Sequence, residues 1–356
     1  MLSSGCLLYY GVLLIVLIII LFFIIIYVTS ERYPKILRDK SEKFFFNCQT
    51  KTKEAFPSLY DPWSVQLSVI IPAYNEEERL PPMLDECLEY LEDHRKSGLT
   101  YEVIVVSDGS TDKTVDVAHR YALKYNTLKV LNLVKNRGKG GAVRLGMLSA
   151  RGSALLFADA DGATKFNDLK KLDESLINVL GCKLKKKLKF CFDRAVDYIA
   201  NVINFNKFVS VDYINKPEKT ASSDAVICGS RAHLEKEETA KRSYFRLFLM
   251  HGFHFLVWLL CVRGIRDTQC GFKLLTRKSA RTIFEALHVE RWAFDVEMLY
   301  IAQSFNIPVT EIAVNWTEIE GSKIIPFWSW LQMGRDLFFI WLRYRIGAWK
   351  INKPKT

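Results

Sequence analysis

No CxxC pair occurs among the eight cysteines, and none of the six histidines falls in a spacing that would hold zinc. Cys87, Cys182, Cys191, Cys228, Cys261 and Cys270 stand apart, which reads as reduced, buried thiols and not as a disulfide framework. The Walker spacing and the GxGxxG spacing are both missing, so neither a P-loop NTPase nor a dinucleotide-binding domain is supported. No basic residue precedes the first long apolar run, and no small-residue cleavage pattern follows it. A removed secretory signal is therefore disfavoured.

That run, Cys6 to Val28, carries no charge and is long enough to cross a bilayer. Arg32, Lys35, Arg38, Lys40 and Lys43 follow it closely, so the positive-inside rule places the bulk of the chain in the cytosol. One sequon, Asn315-Trp316-Thr317, would be open to glycosylation in the opposite orientation. The chain of 356 residues with net charge +11 has apolar residues enough for one large domain or two small ones.

From Leu67 onward short apolar runs alternate with helical stretches. Strands are expected at Leu67–Ile71, Glu102–Val106, Leu128–Leu133 and Ala154–Ala158. Helices are expected from about Glu77 to Arg95, from Asp112, and from Lys139 to Ala150. Such alternation gives an α/β fold with a mostly parallel central sheet. The regularity fades at 179–223, where the basic cluster Lys183–Lys189 precedes a mixed helical stretch around Phe192–Phe208; this reads as a basic insertion. Phe245–Val262 and Phe327–Trp349 are aromatic but broken by charge, which suits an interfacial helix or a core helix and not a membrane span.

Chemistry gathers at the expected strand ends, where α/β sheets hold ligands. Pro72 is expected to stop the first ladder, and Tyr74 offers a ring to a planar base. Asp108 is an acceptor for ribose or base donors, with Ser110 or Thr111 as a cap for the next helix. Lys135-Asn136-Arg137-Gly138-Lys139-Gly140-Gly141 is a basic, Gly-rich turn opening a helix, suited to phosphate. Asp159-Ala160-Asp161 delivers two carboxylates at the end of a buried strand, a pair able to share Mg2+ or Mn2+ with substrate phosphates. Together these describe a nucleotide-diphosphate pocket.

Val69-Ile70-Ile71-Pro72-Ala73-Tyr74-Asn75-Glu76-Glu77, Asp108-Gly109-Ser110-Thr111-Asp112 and Asp159-Ala160-Asp161 resemble an inverting family 2 glycosyltransferase of GT-A fold, a Rossmann-like α/β architecture. Asn136–Arg144, Gly229–Leu234, Arg266–Lys273 and Arg291–Glu297 resemble the branch that glucosylates dolichyl phosphate, over nearly the whole chain. The 179–223 segment departs from that branch.

The resemblance implies that Pro72, Ala73, Tyr74, Glu76 and Asp108 hold the uridine of UDP-glucose. It implies that Asp161, helped by Asp159, holds the metal, and that Lys135, Arg137 and Lys139 line the phosphates. Arg231, Arg266, Lys273 and Arg291 are the candidates for the acceptor phosphate of dolichyl phosphate. Asp267 is expected nearest the anomeric carbon, or else paired with Arg231 or Arg266, and Trp292 is expected to be wall. A phosphate acceptor is mostly dianionic at neutral pH and needs little general-base help. The expected organisation is an anchor at 1–30, a juxtamembrane linker at 31–66, a transferase domain at 67–325 and a membrane-associated helical segment at 326–356. The expected setting is a single-pass endoplasmic-reticulum protein facing the cytosol, with membrane lipids and no nucleic acid as partners. A mannosyltransferase using GDP-mannose and a silent nucleotide-binding adaptor are the alternatives. A processive synthase would need more spans.

Overall fold

In the computed structural model, residues 4–191, 217–234, 244–319 and 326–351 are described. The stretch around Phe192–Phe208 lies outside them. The helix α1 (Ser4–Thr29) is apolar on every side and is exposed from Tyr9 to Thr29 except at Ile26. At 1.5 Å per residue it spans about 39 Å, more than a bilayer's hydrocarbon core. Among the described residues it is the one helix long and apolar enough to cross a membrane.

The segment behind α1 is more than linker. A hairpin of β1 (Phe44–Asn47) and β2 (Thr52–Ala55) turns through Lys51, which takes a positive φ of 56°. Phe45 anchors the hairpin by packing against Phe56 at 5.0 Å between ring centroids. Farther on, Ser58–Asp61 is clasped by two guanidinium groups. Arg277 donates to the Ser58 and Asp61 carbonyls, and Arg281 donates to that of Leu59.

Seven strands form the central sheet: β3 (Val65–Ala73), β4 (Tyr101–Ser107), β5 (Leu128–Asn132), β6 (Gly152–Ala158), β7 (Val226–Ser230), β8 (Phe272–Thr276) and β9 (Val309–Ala313). Their order is β5-β4-β3-β6-β8-β7-β9. Only β8 runs against its neighbours, β6 and β7. The α/β, mostly parallel expectation is met. Strands β4 and β6 are buried at every residue because helices cover both faces, which is why their sequences read as apolar runs and not as alternation.

One face is covered by α2 (Leu80–Arg95), α3 (Thr114–Lys124) and α5 (Leu169–Cys191), through residues such as Leu84, Val117 and Leu172. The other is covered by α4 (Lys139–Leu148), α7 (Tyr244–Leu260), α8 (Arg277–Ala286), α9 (Phe294–Ser304) and α10 (Pro326–Arg345), through Val143, Val257, Phe284, Met298 and Leu337. The short α6 (Pro217–Ser222) precedes β7. The basic cluster Lys183–Lys189 falls on the last turns of α5.

Pro72 does not end β3, as the sequence suggests; it pairs in register with Val106, and Ala73 with Ser107. Pairing of β3 with β6 stops at Ile70, so beyond it the strand is flanked on one side only, where a proline costs the sheet no hydrogen bond.

Candidate active site

Parallel pairing brings the carboxyl ends of β3, β4, β5 and β6 to one edge of the sheet. Because β8 is antiparallel to β6 and pairs Phe272 with Ala158, the 267–271 loop arrives at the same edge. Asn75, in a left-handed turn at φ 53°, latches two of these loops. Its N–H donates to Ser110 Oγ at 3.1 Å, and its side-chain oxygen accepts from the Thr111 N–H at 2.8 Å. Ser110 and Thr111 therefore tie loops together and do not cap α3. Glu76 and Glu77 extend the latch to Thr114 and Asp112. Tyr74, just past the end of β3, remains 39% exposed.

Asp108 is only 3% exposed, and its two oxygens accept from the backbone N–H groups of Arg137 at 2.7 Å and Gly138 at 2.9 Å. The carboxylate thus shapes the Gly-rich turn. Burial pushes its pKa up to about 6, against the pull of those two N–H groups. Gly138 sits at φ 83°, and a side chain there would meet the Glu290 carbonyl at 2.8 Å and Arg291 Cα at 3.2 Å. That close approach brings exposed Arg291 against the turn.

The Lys139 ammonium bridges both Asp159 oxygens, at 2.7 and 2.9 Å. Burial works against the lysine charge, but Asp159, Asp295 and Asp161 outweigh it and hold its pKa above the usual range. Asp161 accepts from the Ala163 N–H at 3.0 Å. Its pKa is raised, first by burial and then by the Asp159 charge beside it. The Asp159 N–H donates to the Gly271 carbonyl, and a Cβ at Gly271 would lie 1.9 Å from Asp159 Oδ2, so any larger residue there would force the carboxylate to move.

One cation, Lys139, contacts this carboxylate pair, and two arginines held by other carboxylates act on it from farther away. Besides Lys139, Arg79 grips Glu76 with two bonds of 2.7 Å and acts on both Asp159 and Asp161. Arg231, at the end of β7, also acts on Asp159 while its guanidinium lies 5.4 Å from the Trp316 ring centroid. Among the described residues no three His, Cys, Asp or Glu side chains lie close enough to hold a metal ion alone. Two carboxylates, one already shared with Lys139, suit a hard cation that takes its remaining ligands from a substrate diphosphate.

Other expected residues are placed elsewhere. Asp267 spends both oxygens on Arg231, at 2.7 and 2.9 Å, and on the N–H groups of Arg231 and Gln269. Burial alone would raise its pKa, but Arg231 outweighs it and lowers the value to about 2. Arg137 turns its guanidinium away from the turn's mouth, onto Glu42 and the Leu37 carbonyl. Lys273 is fully buried against Asp295 at 2.6 Å, out of reach of any acceptor. Lys135 and Arg266 are exposed, and Trp292 is 38% exposed at the rim.

Sequence reasoning passed over Arg79, Trp316, Glu311 and Glu42. Glu311 accepts from the N–H groups of Arg266 and Asp267, which sets the 267 loop. Arg79 had a local signal, its i+3 spacing from Glu76; the others pair across long stretches of chain.

A family model for glycosyl transferase family 2 matches residues 68–178. The dolichyl-phosphate β-glucosyltransferase of Homo sapiens is 53% identical over 333 residues, covering 92% of this chain and 91% of that one. The Drosophila melanogaster protein of the same name is 56% identical over 324 residues, covering 90% and 87%. That of Saccharomyces cerevisiae is 37% identical, covering 85% and 83%. A solved glucosyl-3-phosphoglycerate synthase from Mycobacterium tuberculosis, in complex with UDP, is similar with a TM-score of 0.45 and 15% identity, covering 82% of each chain.

Proposed function

Since the chain belongs to the dolichyl-phosphate β-glucosyltransferases, within glycosyl transferase family 2, we propose that it transfers glucose from UDP-glucose to dolichyl phosphate with inversion, through the site at the ends of β3 to β6. The observation that carries this reading is the Lys139 ammonium held on Asp159 at 2.7 Å beside Asp161, next to a Gly-rich turn pinned by Asp108, with Arg79 and Arg231 fixed nearby on Glu76 and Asp267. Two anions must meet here, a sugar diphosphate and a lipid phosphate, and three fixed cations lower the repulsion between them.

Tyr74 stacks on the uracil while Pro72, Ala73 and Asp108 frame the nucleoside, and Glu76 holds Arg79 toward the diphosphate. Lys139, with Arg291 packed on the turn before it, receives the phosphates. Asp161 and Asp159 would hold Mg2+ or Mn2+, which when bound neutralises charge on the departing UDP. Arg231, fixed by Asp267, orients the acceptor phosphate. A phosphate oxygen attacks the anomeric carbon as the bond to UDP breaks on the opposite face; no proton needs to move, because the acceptor is already largely dianionic. Asp267 is thereby a positioning residue.

We place the reaction at the cytosolic face of the endoplasmic-reticulum membrane, with α1 as a single-pass anchor at 1–30. Exposed Phe255, Trp258 and Leu259 on α7 and Leu331 and Phe338 on α10 suit contact with lipid. The Lys350 N–H bonds the Arg32 carbonyl at 3.0 Å, so Lys350 lies against the chain just behind the anchor. The side-chain amide of Asn315 donates to Asp168 at 3.1 Å, which suits a sequon left unmodified.

The test is transfer of label from UDP-glucose, GDP-mannose and UDP-N-acetylglucosamine, each in parallel, into chloroform-extractable lipid by purified protein with dolichyl phosphate and Mg2+ or Mn2+. Label from UDP-glucose only is expected. Label from GDP-mannose would move the donor, and none from any would favour a silent adaptor.

A further inference from the structure

The segment joining α1 to the hairpin lies along α4, the helix that the Gly-rich turn opens, and grips both its ends. At the far end, Arg38 donates to Ser149 Oγ at 2.8 Å, where α4 stops. At the near end sits Glu42, a carboxylate with 0% of its side chain exposed. It accepts from Arg137 Nη2 at 2.9 and 3.2 Å, from the Val134 N–H at 3.0 Å and from the Asp39 N–H at 3.0 Å. Arg137 Nη1 reaches back to the Leu37 carbonyl. A buried carboxylate is stabilised by such partners and strongly disfavours any displacement that would leave it unpaired.

The partners of Glu42 flank the donor turn. Val134 is one residue before it, and Arg137 lies within it, its own N–H bonded to Asp108 at 2.7 Å. A rigid chain of contacts therefore runs from residues 37–42, through Glu42 and Arg137, to Asp108. Among the described residues no hydrogen bond or ion pair links it to Arg231 or Asp267, which sit just after β7 and on the 267 loop.

We propose that Glu42 is a positioning residue for the nucleotide-sugar donor: the membrane-proximal strap at 37–43 holds the Gly-rich turn in its binding form, so the strap and the donor site order each other. The inference rests on the donor reading given above. Coupling of this kind is reciprocal, so if the strap favours nucleotide binding, nucleotide must stabilise the strap by the same factor.

The first experiment uses the wild-type full-length chain in detergent, with UDP as probe and hydrogen–deuterium exchange as readout. Slower exchange on UDP addition is expected in peptides covering 37–43 as well as 134–139. Protection confined to 134–139 would overturn the proposal and leave the donor site standing. No UDP binding at all would remove the donor site and the proposal with it. The second experiment uses Glu42→Gln, which keeps shape and removes charge. A rise of about 10-fold in the KM for UDP-glucose is expected from one weakened charge-assisted contact, with the KM for dolichyl phosphate unchanged. The double variant with Arg137→Gln should be no worse than either single one. Equal rises for both substrates, or fully additive losses, would make Glu42 a general support and refute the assignment.

Discussion

Replacing Asp267 by Asn keeps the shape of the side chain and removes the charge that Arg231 is built around. The wild-type carboxyl lies at about 2, against an ordinary 3.8, with the residue 7% exposed. A carboxylate whose pKa is depressed on folding stabilises the folded state above its unfolded value and loses that contribution as pH falls through its folded value. Here the contribution is about 2 kcal/mol at neutral pH, with roughly half gone by about pH 3. The Asn variant also leaves Arg231 without its counter-ion; its side chain is 33% exposed, so the added penalty sits at the low end of that for broken buried pairs. Denaturant unfolding at pH 7 should show the variant about 2–3 kcal/mol less stable, and the gap should narrow toward pH 3. Turnover should fall about 100-fold, because Arg231 loses its fixed orientation. A variant within about 0.5 kcal/mol of wild type at pH 7, or a gap that stays constant with pH, would refute the reasoning on stability. Full turnover would refute the positioning role.

Gly271→Ala should push the Asp159 carboxylate aside, since the new Cβ would lie 1.9 Å from it; transfer should drop about 100-fold while far-UV circular dichroism stays unchanged, and near-normal transfer would remove Asp159 from the site. Asp108, with a pKa of about 6, should be ionised more readily once it accepts from a bound uracil, so affinity for UDP-glucose should rise with pH from 5 to 7 and level off above. Titration calorimetry showing a flat profile would exclude that contact; UDP-glucose is the right ligand because its diphosphate does not itself titrate there. Deleting residues 1–30 should raise the KM for dolichyl phosphate far more than that for UDP-glucose, and equal rises would assign α1 to folding. Glycosylation of Asn315 in microsomes would overturn the cytosolic placement.

The sheet was legible because β4 and β6 are buried on both faces and so read as unbroken apolar runs, each closed by its carboxylate, Asp108 or Asp159–Asp161. Pro72 misled because a local rule about ladder bonds cannot see that β6 stops pairing at Ile70. Lys273 misled for a related reason. Strand β8 lies inside the sheet between β6 and β7 and is buried at every residue, so Lys273 faces the core whichever side it takes, and so short a run does not announce that position. Glu42 was invisible because its partner lies 95 residues away, and a pairing over that distance imposes no spacing on either segment.

The placement of β8 also orders events during synthesis. On a ribosome, α1 and the donor half of the sheet emerge first, and β6 then waits with one edge bare until Phe272–Thr276 arrive to pair with it. Asp159 waits as well, since its backbone N–H is held by Gly271 and the residue packed against its carboxylate is the same glycine. A nascent chain stopped before that point exposes an unpaired central strand, the kind of surface that recruits other strands. Maturation is thus timed by translation: the carboxylate pair reaches its working geometry only when Gly271 and β8 have been made, and the Gly-rich turn is completed later still, when Glu290 and Arg291 emerge to pack on Gly138 and Gly141.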